Sequence, residues 1–322
     1  MNKNLNKRNF KLLAILIIFV GFFIFEYFNH QVPGNLAQPG LEELIIETGS
    51  NNDIRPAIDN PEFESVPLAD TYLLNEGQGI VLIKNNSARF YPFQILVWHN
   101  LVNDIWNGFP VLVVYDPLCG SVAVFERDTD DAVVLNFKNS GKIYNNMSLF
   151  TDDGTGSLWS PFDGKIIVGS DNSGDIEGER PPSPGYGGVN LSPLQSYVMT
   201  WQSFKTNFPD GYVLSRETGS ARDYSNNPYG NYSETPAVWY PLTKYDSTYP
   251  AKTVVYGYGS DVFPLDNIKS SGTINGIEVD FVWDEELETV RGYDKNQNEM
   301  ALSSAYWFCW VGNQYLSPNP SL

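Results

Sequence analysis

Few side chains in this sequence have the types and spacing for chemistry. His99 stands at the end of Tyr91-Pro92-Phe93-Gln94-Ile95-Leu96-Val97-Trp98-His99, and Cys119 lies in Pro117-Leu118-Cys119-Gly120-Ser121, with Asp104 and Asp116 between them. Thiolate plus imidazole, helped by a carboxylate, forms a donor set for a transition metal, zinc or copper rather than magnesium or calcium. The same pair can serve as nucleophile and base: His99 would deprotonate Cys119, and turn amides or Asn103 would stabilise an oxyanion. In a third reading Cys119 joins Cys309 as a disulfide closing a loop of about 190 residues. Residue types alone leave all three open, together with a fourth in which the thiols are inert.

A second candidate is the turn-rich stretch Arg222-Asp223-Tyr224-Ser225-Asn226-Asn227-Pro228-Tyr229-Gly230. Here Arg222 can clamp a carboxylate or phosphate at two points, with Asp223 and Asn227 as polar neighbours and Tyr224 and Tyr229 as walls. The structural alternative is an Arg222–Asp223 salt bridge beside a prolyl turn.

Composition narrows what such sites can serve. The 322 residues carry 20 basic and 38 acidic side chains, a net charge of −18, which repels a nucleic-acid backbone. Two cysteines and two histidines are too few for zinc-finger, iron–sulfur or multi-disulfide frameworks. Gly-x-Gly-x-x-Gly after a strand, the phosphate-loop lysine motif, the Gly-x-Ser-x-Gly elbow and His-Glu-x-x-His are all missing, so dinucleotide, ATP, common hydrolase and zincin readings lose support.

The elements that must position these residues begin with a membrane signal. Lys3, Lys7, Arg8 and Lys11 precede an apolar run from Leu12 to Phe28, interrupted only by Glu26, and no clean cleavage site follows. Residues 1–30 are therefore expected to be a retained signal anchor, one transmembrane helix with the basic end inside, so that the rest of the chain is extracytoplasmic at the cell membrane. Residues 31–52, rich in Gly, Pro and Asn, read as a linker, and residues 313–322 as a tail.

Residues 53–312 read as a mostly β domain with a few short helices. Short runs of β-branched and aromatic residues bounded by turn formers predict strands at Ile80–Ile83, Val111–Tyr115, Val122–Phe125, Val133–Phe137, Lys165–Val168 and Tyr212–Leu214. Helices are expected from Phe93 to Val102, Thr200 to Phe208 and Ser303 to Val311, and a long surface loop from Asp171 to Gly188. Comparing the chain with itself predicts a duplicated β-helix-β-β unit at about 79–128 and 253–296. Pro92 matches Pro264, Asn107-Gly108 matches Asn275-Gly276, and Asp116 matches Asp284. His99 and Cys119 have no counterpart in the second copy, which places any site in the first.

Ile58-Asp59-Asn60-Pro61, the Tyr91–His99 run, Val102-Asn103-Asp104, Pro117–Ser121, Ser157-Leu158-Trp159-Ser160 and Arg222–Gly230 resemble, in order and spacing, the domain-of-unknown-function family 3179 over about residues 53–310. The resemblance implies an exported setting and brings no reaction. Members typically carry Cys-Pro-Leu-Cys-Gly, whereas Asp116 stands here in place of the first cysteine, so a Cys-x-x-Cys redox couple cannot form. Cys309 falls where relatives are expected to have Ala. The paired loss at 116 and gain at 309 is what recommends the disulfide reading. The expectation taken forward is a membrane-anchored, outward-facing β protein binding a metal or small ligand at a site around His99 and Cys119. Its alternatives are a structural or interaction domain closed by Cys119–Cys309, or a thiol-dependent enzyme.

Overall fold

Turn residues with left-handed backbone cut the chain into short strands: Asn107 and Gly108 at one hairpin, Asn145 and Asn146 at another, all with positive φ. The structure, a computed structural model, describes residues 44–84, 87–128, 133–169 and 190–313. The strands are β1 (Ile46–Asn51), β2 (Ile58–Asp59), β3 (Phe63–Ser65), β4 (Gln78–Lys84), β5 (Ser87–Pro92), β6 (Leu101–Trp106), β7 (Phe109–Asp116), β8 (Ser121–Glu126), β9 (Phe137–Tyr144), β10 (Met147–Asp152) and β11 (Leu158–Trp159). They continue as β12 (Ile166–Val168), β13 (Tyr197–Thr200), β14 (Tyr212–Leu214), β15 (Val254–Tyr258), β16 (Asp261–Pro264), β17 (Thr273–Asn275), β18 (Val279–Asp284), β19 (Thr289–Asp294), β20 (Glu299–Met300) and β21 (Ser303–Tyr306). The helices are α1 (Val66–Ala69), α2 (Phe93–His99), α3 (Trp201–Asn207), α4 (Leu265–Ser271) and α5 (Trp307–Asn313). Each helix leaves directly from the end of a strand.

The described strands form four sheets: β1-β9-β10-β11-β12, β13-β4-β5-β14-β3, β16-β15-β21-β8-β7-β6-β2 and β17-β18-β19-β20. Pairing is antiparallel except between β14 and β5 and between β2 and β6. One order of elements occurs twice. Hairpin β4–β5 feeds α2 and then the meander β6–β7–β8, and hairpin β15–β16 feeds α4 and then β17–β18–β19. A later strand joins each hairpin, β13 beside β4 and β21 beside β15. The partners then cross: β21 pairs with β8 at Ser304 and Val122, and β13 lies against β19, where Thr289 Oγ1 donates to Val198 O at 2.9 Å.

The two matching helices end alike. Pro92 and Pro264 precede them, and Asn100 (φ 65°) and Gly272 (φ 68°) stop them in left-handed backbone. Asn and Gly tolerate that region best, which is why seven residues suffice for each helix. The helix expected to run to Val102 therefore stops at His99, and Leu101 opens β6. Likewise the helix expected from Ser303 begins at Trp307, because Ser303–Tyr306 pairs with β15. Of the expected strand Val133–Phe137, only Phe137 enters β9, while Val134 makes an isolated bridge to Asp128. Within the stretch expected to be a linker, Ile46–Asn51 forms β1 on β9.

The expected membrane span Leu12–Phe28 and the loop Asp171–Gly188 lie outside the described residues. Among the described residues, no helix is long and apolar enough to cross a membrane. The core divides into several buried clusters. The one nearest the predicted site packs Val97 of α2, Leu118, Cys119, Met147, Tyr232, Phe308 and Cys309 together.

Candidate functional site

Burial decides what His99 can do. Its side chain closes α2 with no exposed surface, so each ring nitrogen needs a partner. Nδ1 lies 2.7 Å from the Pro56 carbonyl and Nε2 lies 2.7 Å from the Tyr224 hydroxyl. A carbonyl only accepts, so Nδ1 carries the proton, and Nε2 accepts from the Tyr224 O–H. The Tyr224 oxygen in turn accepts from Thr218 Oγ1, 2.5 Å away. Burial lowers the imidazole pKa, the bond to Pro56 opposes this, and the Arg222 charge adds to the lowering. The ring is neutral and both nitrogens are engaged.

Cys119 lies in the turn between β7 and β8, and its sulfur is bonded to Cys309 of α5, with the two Cα atoms 5.4 Å apart. Gly120 (φ 58°) permits the approach, since a Cβ there would meet the Tyr306 ring at 2.6 Å. The Cys119 carbonyl accepts from Tyr306 N at 2.7 Å, so the turn and β21 are joined through backbone as well. With the sulfur oxidised, Cys119 supplies neither the thiolate of a metal site nor a nucleophile for His99 to activate.

Asp116 is buried and serves the same turn. Its carboxylate accepts from Leu118 N at 3.1 Å, Ser148 N at 2.8 Å and Ser148 Oγ at 3.1 Å. Burial raises its pKa, while those donors and the nearby Arg55 charge oppose the rise. Asp104 points elsewhere, accepting from Arg89 Nη1 at 2.5 Å and Tyr91 OH at 2.6 Å. The residues expected as zinc or copper donors, His99, Cys119, Asp116 and Asp104, each meet a different partner in the structure. Among the described residues, no group of three or more His, Cys, Asp and Glu side chains converges to hold a metal ion.

The Arg222–Tyr229 stretch forms a strap joining these regions. Arg222 donates to the Ile54 carbonyl and lies over the Trp98 ring at 5.5 Å. Asp223 accepts from Ser225 N at 3.0 Å and Ser225 Oγ at 2.6 Å, Tyr224 meets His99, and Asn227 Oδ1 accepts from Tyr229 N at 2.9 Å. Tyr229 receives Arg55 at its hydroxyl and stacks on Trp239 at 5.7 Å. Further along, the Tyr232 hydroxyl donates to the Leu118 carbonyl at 3.0 Å. One loop therefore touches His99 near its start and the Cys119 turn near its end. Sequence reading placed no emphasis on Tyr232, Arg55 or Ser148, whose partners are distant in the chain.

A family model described as protein of unknown function (DUF3179) matches residues 52–308. No curated protein and no solved structure matches the chain.

Proposed function

The chain belongs to the DUF3179 family, and from that premise we propose that it is an exported, membrane-tethered interaction domain whose turn and C-terminal helix are locked by a disulfide. The observation that carries this reading is the Cys119–Cys309 bond, because such bonds persist in oxidising compartments and are rare in the reducing cytosol. The basic residues before Leu12 and the apolar run to Phe28 support an anchor with its charged end inside and residues 31–322 outside. Matching order in β4–β5–α2–β6–β7–β8 and β15–β16–α4–β17–β18–β19 supports duplication of one β-helix-β-β unit. The acidic surface keeps the domain off nucleic acid. In this reading His99 and the strap act on the protein itself, holding α2 and the Cys119 turn in register for a binding surface.

Peptide mapping of the full chain without reductant tests it, together with protease treatment of intact cells. We expect a linked pair of peptides containing Cys119 and Cys309, and cleavage beyond residue 44 from outside. A Cys119 that alkylates freely before reduction, or protection of the domain in intact cells, would overturn the proposal.

A further inference from the structure

The chain carries a net charge of −18, yet among the described residues one cavity is lined by two cations and no acid. It measures about 30 Å³ and lies where β1, β9 and β10 meet the strap, between Arg55, Lys142, Tyr229 and Trp239. A space of that size takes roughly two water-sized atoms. Three neutral side chains on its wall have their donors spent within the protein. Thr48 Oγ1 donates to Gly141 O at 2.9 Å, Asn139 Nδ2 to the Arg55 and His99 carbonyls at 2.7 and 2.8 Å, and Ser148 Oγ to Asp116 at 3.1 Å.

The cations are not spent in this way. Among the described residues Arg55 makes no ion pair; its guanidinium donates to the Tyr229 hydroxyl and lies over that ring at 4.8 Å, leaving most of its N–H groups for another acceptor. Lys142 meets only the Glu47 carboxylate, at 3.8 Å and on a side chain 80% exposed. The nearby Asp116 tempers the Arg55 charge, but its oxygens already accept from Leu118 and Ser148. Trp239, on the same wall, is 51% exposed and firmly held. Its ring stacks on Tyr229 at 5.7 Å and meets Tyr232 edge-on at 4.7 Å, while Asn146 bonds both the N–H and the carbonyl of Tyr240 at 2.8 Å. An exposed indole so supported is a platform for another flat ring.

We propose that this cavity binds an aromatic carboxylic acid as its anion. The carboxylate enters beside Arg55 and Lys142, and the ring lies on Trp239. A carboxylate presents two oxygens in one plane, as many as the space holds, and matches the guanidinium fork; phosphate has four. A sugar acid would bring hydroxyl groups to a wall whose hydroxyl and amide donors are taken. The inference goes beyond the tethered interaction domain and does not rest on it, since neither the disulfide nor export enters the argument.

The test titrates the full chain in detergent, against empty micelles, with phenylacetate, phenylacetamide, glucuronate and inorganic phosphate, followed by calorimetry and tryptophan fluorescence. Phenylacetate should bind about tenfold more tightly than each of the others. Lys142→Gln should weaken phenylacetate about threefold and leave phenylacetamide unchanged, whereas Trp239→Ala should weaken both about fivefold. Equal affinity for phenylacetate and phenylacetamide, equal or tighter binding of glucuronate or phosphate, or no binding by any would overturn the assignment. Should either variant fail to fold, the four compounds on the unaltered protein decide alone.

Discussion

Replacing both Cys119 and Cys309 by alanine should lower stability by an amount the geometry sets. The bridged residues are 190 apart in sequence, and the chain-entropy relation for a loop of that size gives about 5 kcal/mol at 25 °C. Both sulfurs are fully buried, so removing them adds a packing loss of about 1 kcal/mol. At this chain length 1 kcal/mol corresponds to about 2 °C, so the melting temperature should fall by roughly 10 °C. Near-UV circular dichroism during heating, without reductant, measures the difference between the parent and Cys119→Ala/Cys309→Ala. Adding reductant to the parent should give a similar drop once the bond opens. A double variant melting within about 2 °C of the parent would refute the reasoning, because the bond would then constrain nothing that the remaining contacts do not already hold.

Three further outcomes are expected. His99 has its pKa lowered in the folded state, so the native protein binds fewer protons than the unfolded chain; stability should be fully present above the ordinary histidine value of 6.5 and decline as pH falls from there toward the lowered value. Urea midpoints between pH 7.5 and pH 5.5 would show this slope, and His99→Gln should flatten it. Asn100→Ala should cost about 1 kcal/mol by denaturant melt, because alanine resists the left-handed backbone there, whereas Asn100→Gly should be nearly neutral. Gly257→Ala would set a Cβ 2.0 Å from the Trp310 ring and should cost about 1–3 kcal/mol, visible in the same melts and as a change in tryptophan fluorescence.

The strands were readable where apolar alternation met a turn signal, as at Val111–Tyr115 with Asn107-Gly108 before it. The helix from Thr200 to Phe208 was readable at both ends, but the one after Pro92 was readable only at its start and the one expected from Ser303 was not. Nothing local says that Asn100 will adopt positive φ while Leu101 pairs with Val114. β1 escaped notice because Gly49, Ser50 and Asn51 look like tether, and only pairing with β9 extends them. The chemistry divided along the same line. Sequence singled out His99, Cys119 and Asp116 and offered Cys309 as one partner for Cys119, yet the partners Pro56, Tyr224 and Ser148 are set by tertiary folding. The cavity beside Trp239 was invisible, since its walls come from segments near residues 48, 55, 142, 229 and 239.

The crossed strand partners bear on how the protein is made. β8 has its neighbour β21 delivered only after Ser304 has been synthesised, and β19 meets β13 late for the same reason. The seven-stranded sheet β16-β15-β21-β8-β7-β6-β2 draws on both halves, so it cannot be completed until nearly the whole polypeptide is made, and folding passes through a state with open strand edges. A shortened chain that stops before β21 leaves the Val122 end of β8 without its partner, an open strand edge prone to aggregation.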